Sequence, residues 1–342
     1  MNQQKVLLTG VTGFLGSHTA IQLLNKGYKV TGTLRNLDRV NSITEVIGRY
    51  TGNLDNLRFA QADLGDDKIW AELTKGMDFV LHVASPFPRE LPKHEDELII
   101  PAKQGTLSIL KAAAKNRVKR VVMVSSSSAI QYGKTKEELN RTFSEEDWTD
   151  VENLKDTTPY FRSKTTAEKA AWDFIEQDAS GMELTTILPG VILGKVLEED
   201  FGTTANIIVK ILDKSLPALP KIGFEIVDVE SLADLLLKAM VLPQAAGERY
   251  IAAAGYMTFK EIAQLLKQHY PERKIVTKEL PNVLARLISI FELSLRPILL
   301  ELGVTRKLKI DKAVRELHWK PVPVKNAVIA CAESILEQGI VI

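Results

Sequence analysis

At 342 residues, the chain is long enough to bury a large core and to form two lobes. Its 44 Lys and Arg nearly balance 43 Asp and Glu, which leaves no global field for attracting nucleic acid or an anionic membrane. A single cysteine, Cys331, excludes an intrachain disulfide, and five scattered histidines lack metal-ligand spacing.

Read in chain order, short apolar runs alternate with helix-length segments. Residues 6–8, 28–34, 57–60, 79–83, 120–124 and 185–188 read as strands. Helical patterns fall near residues 14–26, 38–50, 66–75, 96–116 and 159–179. This rhythm predicts an α/β fold, a Rossmann-type doubly wound parallel sheet covered by helices on both faces. The rhythm weakens after Pro189. The expected division is a nucleotide-binding domain over 1–190, with a return over roughly 224–252. Residues 191–223 and 253–342 are expected to form mainly a smaller C-terminal substrate-binding lobe. The apolar stretch 284–293 carries charges and is followed by Pro297, so it predicts an amphipathic helix rather than a membrane span. The first strand begins at once, without a secretory leader, and with the lone thiol this predicts a reducing, cytoplasmic setting.

Thr9-Gly10-Val11-Thr12-Gly13-Phe14-Leu15-Gly16 joins the first strand to the first helix. Glycines at 10, 13 and 16 give a tight turn, close backbone approach to a pyrophosphate, and close packing of helix on strand. The helix N-terminus then aims free N–H groups at phosphate. The second strand ends in Arg35, where a carboxylate would select the ribose 2′-hydroxyl of NAD. A guanidinium there, with Arg39 four residues on, suits the 2′-phosphate of NADP. Asp63, followed by Leu64, can accept from an adenine amino group or cap the next helix, and the residues leave both roles open.

The fifth strand runs into Ser125-Ser126-Ser127-Ser128 at the carboxyl end of the sheet, where open α/β folds bind ligands. Farther on, Tyr160 and Lys164 stand one helical turn apart on one face. A neighbouring positive charge favours the phenolate and is expected to lower the phenol's pKa.

Together, these segments resemble the extended short-chain dehydrogenase/reductases. The match is closest to the branch of dihydroflavonol reductases, cinnamoyl-CoA reductases and fungal NADPH-dependent carbonyl reductases. It extends to His82-Val83-Ala84-Ser85-Pro86, to Pro101-Ala102-Lys103-Gln104-Gly105-Thr106-Leu107, to Ala167-Glu168 and to Leu188-Pro189-Gly190. The resemblance implies that Ser127 polarises a substrate carbonyl, that Tyr160 is the general acid, and that Lys164 holds the nicotinamide ribose. It implies that Gly10, Thr12, Gly13, Phe14, Leu15, Gly16, Arg35, Arg39, Asp63, Leu64, Val83, Ala84, Ser85, Pro189 and Ile192 contact NADP. Hydride transfer from NADPH to a small-molecule aldehyde or ketone is the implied reaction, in a monomer or homodimer. Ala102 stands where sugar-nucleotide epimerases usually carry Asn. Tyr132 stands where plant dihydroflavonol reductases carry a flavonoid-binding Asn. Pro86, Phe87, Tyr132, Phe161 and Phe201 are able to form an apolar substrate wall or to be core. A nucleotide-sugar epimerase or dehydratase, and a non-catalytic NADP sensor, are the alternatives.

Overall fold

The computed structural model describes residues 3–86, 94–199, 202, 204–291 and 298–341. The expectations on Phe87, Phe201 and Pro297 fall outside them. In chain order the strands are β1 (Lys5–Thr9), β2 (Lys29–Leu34), β3 (Leu57–Gln61), β4 (Phe79–His82), β5 (Arg120–Val124), β6 (Thr142–Phe143), β7 (Glu183–Pro189), β8 (Val191–Leu193), β9 (Gly223–Asp228), β10 (Arg249–Ala252), β11 (Gly255–Thr258) and β12 (Lys307–Leu308). The helices are α1 (Phe14–Asn25), α2 (Val40–Gly48), α3 (Asp67–Leu73), α4 (Asp96–Lys115), α5 (Pro159–Gln177), α6 (Asn206–Leu212), α7 (Val229–Val241), α8 (Phe259–His269), α9 (Asn282–Phe291), α10 (Lys312–Leu317) and α11 (Val324–Glu337).

Among the described residues, seven strands form one parallel sheet in the order β10-β7-β5-β4-β1-β2-β3. Its strands are buried on both faces, as crossover helices require. Alternation along β1 divides the core: Val6 and Leu8 face α1, α2 and α7, whereas Leu7 faces α3, α4 and α5. Strand order reverses between β1 and β4, which opens a crevice at their carboxyl ends.

The smaller lobe has its own sheet, β11-β9-β8, and its own core under α6, α8 and α11. Its boundary differs from the expected one in two places. Strand β9 pairs with β8 and β11 rather than with the seven-stranded sheet, although its Val227 still reaches the main core alongside α7 and β10. At the other end, α10 and the fully buried Trp319 pack into the main core, although residues 253–342 were assigned mainly to the lobe. In both places burial of apolar faces outweighs sequence order. Helix α9 buries Ala285 and exposes Val283, Leu284 and Leu287. No helix among the described residues is long and apolar enough to cross a membrane.

The start of α1 sets the tightest tolerance in the sheet. A Cβ on Gly16 would stand 2.0 Å from the Gly10 carbonyl oxygen, and Gly10 itself turns with φ +72°. Within an ordinary helix, Gly→Ala is stabilising by about 0.5–1 kcal/mol. Here the sign reverses: Gly16→Ala is expected to cost about 1–3 kcal/mol through overpacking, read as a lower midpoint of urea unfolding.

Candidate active site

At the β1–β4 crevice, three side-chain and backbone contacts close the floor. Thr9 Oγ1 accepts from the N–H groups of Val83 (3.0 Å) and Ala84 (2.9 Å) and lies 3.0 Å from His82 Nδ1. This ties the ends of the two central strands together. A Cβ on Gly10 would crowd Ala84 at 3.1 Å, and one on Gly32 would meet Val11 at 2.9 Å. The bare backbone of this turn leaves room that a side chain would fill.

Above that floor, α1 starts at Gly13 without a capping side chain. Its first-turn N–H groups and the positive end of its dipole are therefore available to an anion. Thr12 and Phe14 are partly exposed, Gly13 is exposed and Leu15 is buried. Residues Val83, Ala84 and Ser85 line the same crevice, partly exposed after β4. Pro189 is buried at the end of β7, and Ile192 on β8 accepts from Thr204 Oγ1 through its carbonyl (2.7 Å). The cradle fits a dinucleotide: an uncapped helix start, a glycine turn that Cβ atoms would fill, and a crevice at the strand ends.

Arg35 is exposed at the end of β2, where Gln61 holds its carbonyl (2.9 Å). Arg39, expected to share its duty, forms a bidentate pair with Glu198 at 2.7 Å. Asp66, not Asp63, caps α3 by accepting from the Lys68 N–H. Asp63 is exposed, holds the Gly65 N–H (2.9 Å), and is freed from the capping role. Leu64 packs against Gly105 of α4, where a Cβ would approach to 3.0 Å.

The polar centre stands at the exit of β5. Helix α5 starts cleanly because Thr158 caps it, accepting from the Phe161 N–H, and Pro159 occupies its first position. Tyr160 therefore lies in the first turn, partly exposed, and Lys164 follows one turn later, buried. The Lys164 ammonium sits 6.0 Å from the Tyr160 ring centroid. The serine hydroxyl that bonds the Tyr160 phenol belongs to Ser126. Ser127, expected to polarise a substrate carbonyl, begins a short 3-10 turn (Ser127–Ala129) capped by Ser126. The cause is where β5 stops: the chain leaves the strand at Val124, so the second serine of the run reaches the phenol.

Charge shifts here depart from the expected sign. Burial pushes the Tyr160 phenol up to about 12, against the hydrogen bond from Ser126 that draws it down. Lys164 does not lower it in the free chain. Instead, burial pulls the Lys164 ammonium down to about 8, while the nearby Glu168 carboxylate pushes it up. His82 is drawn down to about 3 by burial and by the Lys164 charge.

Tyr132, left open as substrate wall or core, is 3% exposed and stacks on Phe161 with centroids 3.8 Å apart. The Arg306 guanidinium lies 4.4 Å over the Tyr132 ring and pairs with Asp156 at 2.5 Å. Tyr132 is thus packed between lobes, whereas Phe161 and Pro86 stay partly open. Cys331 is buried with its thiol pushed up to about 12, as an inert core thiol would be. No metal-holding cluster occurs among the described residues.

A sequence profile of the NAD dependent epimerase/dehydratase family matches residues 6–253. The chain belongs to this family. Its curated relatives include Ketoreductase azaE of Aspergillus niger, 33% identical over 79% of this chain and 83% of that protein. Tetraketide alpha-pyrone reductase 1 of Arabidopsis thaliana is 31% identical over 79% and 82%. Among solved structures, Gre2 of Candida albicans in complex with NADPH superposes with a TM-score of 0.80 at 25% identity, covering 98% and 99%. Vestitone reductase of alfalfa superposes at 0.78 and 25% identity, covering 99% and 100%. These relatives bear out the resemblance to the extended short-chain dehydrogenase/reductases, including the reductase branch.

The sequence alone did not single out His82, Glu198 or the hub role of Glu168. His82 and Glu168 lay inside matched segments, but their partners are remote in sequence.

Two buried histidines give this family member an acid-sensitive core. His18 donates from Nε2 to the Lys195 carbonyl (2.9 Å) and is drawn down to about 4 by burial. Both His18 and His82 bind protons less readily when folded than at the ordinary 6.5. The unfolded chain therefore takes up protons first as pH falls. Stability is full above about 6.5 and lost toward 4, by up to about 1.4 kcal/mol per histidine per pH unit. In urea unfolding at pH 6 and pH 5, His18→Gln should lose about 1 kcal/mol less than the parent between the two.

Proposed function

We propose that this protein is an NADPH-dependent reductase of aldehydes or ketones. The observation that carries the proposal is the Tyr160 phenol beside Ser126 and one turn from the Lys164 ammonium, next to an uncapped helix start at the strand switch point. The named ketoreductase and NADPH-complex relatives support it. The family name also covers epimerases and dehydratases, but Arg35 at the end of β2 and Ala102 on α4 favour the reductase.

Bound NADPH supplies a hydride to the carbonyl carbon. Gly10, Thr12, Gly13, Phe14, Leu15 and Gly16 would hold its pyrophosphate, with Val83, Ala84, Ser85, Pro189 and Ile192 along the crevice. Leu64 and Asp63 would meet the adenine, and Arg35 the 2′-phosphate. Arg39 would join Arg35 only after leaving Glu198, so Arg35 carries that contact.

Ser126 donates a hydrogen bond to the carbonyl oxygen and stabilises the negative charge that develops there. Tyr160 then gives its phenolic proton to that oxygen. A phenol is already protonated at neutral pH and burial keeps it so, which leaves it a proton to give in the reducing direction. Lys164, one turn away, would stabilise the phenolate left behind and hold a ribose hydroxyl. Phe161 and Pro86 offer apolar surface to the substrate. The buried thiol and balanced charge fit a cytoplasmic enzyme, which is part of the proposal.

Purified protein should consume NADPH, followed by loss of its absorbance, with at least one member of a panel of aldehydes and ketones. Tyr160→Phe should lower that rate by about a hundredfold or more while NADPH still binds. No consumption with any carbonyl, together with interconversion of a nucleotide sugar, would favour the epimerase reading. Arg35→Ala should raise the KM for NADPH by roughly ten- to a hundredfold, the loss of one charge-assisted hydrogen bond, and leave that for NADH unchanged.

A further inference from the structure

Beneath the polar centre lies a carboxylate that the proposed chemistry does not use. Glu168 is fully buried on α5, one turn past Lys164 and two turns past Tyr160. Four donors from separate places converge on it. Ser125 Oγ donates at 2.5 Å from the exit of β5. Thr186 Oγ1 donates at 2.8 Å from β7, and Arg249 Nε at 2.8 Å from β10. Trp172 Nε1, on its own helix, lies at 3.4 Å. Arg249 is held in turn by the carbonyls of Glu145 and Asp147, with its guanidinium 3.7 Å over the Trp148 ring.

Stability alone does not account for such a site. A buried ion pair is often no better than well-packed apolar residues of the same volume, because desolvation offsets the attraction. An apolar replacement, however, would not fix the direction of three elements at one point. Ser125 immediately precedes Ser126, so the bond at 2.5 Å ties the serine that meets the phenol to the helix that carries the phenol.

We propose that Glu168 is the positioning residue of this site, holding the Ser126 strand end and the Lys164 turn of α5 in one rigid frame. The inference rests on the reductase reading of the site. It has an electrostatic consequence as well. Among the described residues that line the cavity with Lys164, α4 contributes Ala102 and Thr106, and β4 contributes His82, whose proton affinity burial draws down. Tyr160 on its own helix is protonated, and Arg249 on β10 is already paired. The Glu168 carboxylate is thus the charge that opposes the downward pull of burial on Lys164.

The experiment compares Glu168→Gln and Ser125→Ala with the parent enzyme, using NADPH and a carbonyl that the parent reduces. Circular dichroism verifies folding, NADPH fluorescence reads affinity against pH, and absorbance reads kcat against pH. Ser125→Ala keeps the ion pair and should fold. Its kcat should fall by about ten- to a hundredfold through misplacement of Ser126, with the KM for NADPH little changed. In Glu168→Gln, the alkaline loss of both kcat and NADPH affinity should move to lower pH by about one unit. Glu168→Asp should restore the parent's alkaline limb in part.

A folded Glu168→Gln with the parent's kcat and alkaline limbs would overturn the inference. If that variant fails to fold, parental kcat in Ser125→Ala overturns it instead. A parent that binds NADPH but reduces no carbonyl would defeat the reductase reading alone. The shift in the pH dependence of NADPH affinity then still decides the role of Glu168. A parent that does not bind NADPH would overturn both.

Discussion

Everything at the site depends on how closely the backbone of the β1–α1 turn can approach its neighbours. The Gly10 carbonyl oxygen occupies the space where a side chain on residue 16 would begin, and Ala84 after β4 closes on the other side. Only because three residues lack side chains can α1 begin directly at the end of β1, with its first N–H groups uncapped and facing the crevice. Thr9 then locks β4 to β1 by accepting from two successive N–H groups, which fixes the crevice width. The helix dipole, the switch point and the polar centre are all measured from that contact.

The second constraint acts from below. The polar centre draws on the exit of β5 and the first two turns of α5, which meet only through tertiary packing. Buried hydroxyls from Ser125 and Thr186 and the guanidinium of Arg249 converge on one carboxylate, Glu168, and satisfy it fully. Full pairing of the carboxylate itself explains how a charged group is tolerated at 0% exposure, one turn from the buried Lys164 ammonium.

Much of this was legible in the chain. The β1–α1 glycines, the alternation of apolar strands and the Tyr160–Lys164 spacing are local patterns, and local sterics and periodicity dictate them. The places that the sequence left open or misread share one cause. Four serines in a row look alike, so the contact falls to Ser126 only because β5 ends at Val124. A cation four residues from a tyrosine suggests a lowered pKa, yet burial raises it. Arg39 looks free in sequence, but Glu198 meets it from 159 residues away.

The sequence by itself determined the strand–helix alternation of the first half, the glycine turn before α1 and the family, because each rests on local patterns within a turn or two of one another. Tertiary structure decided which serine touches the phenol, which way the phenol's proton affinity moves, and which lobe claims β9 and α10. Those outcomes depend on burial and on partners distant along the chain. Neither is encoded in spacing, since desolvation is a property of the packed neighbourhood rather than of the residue.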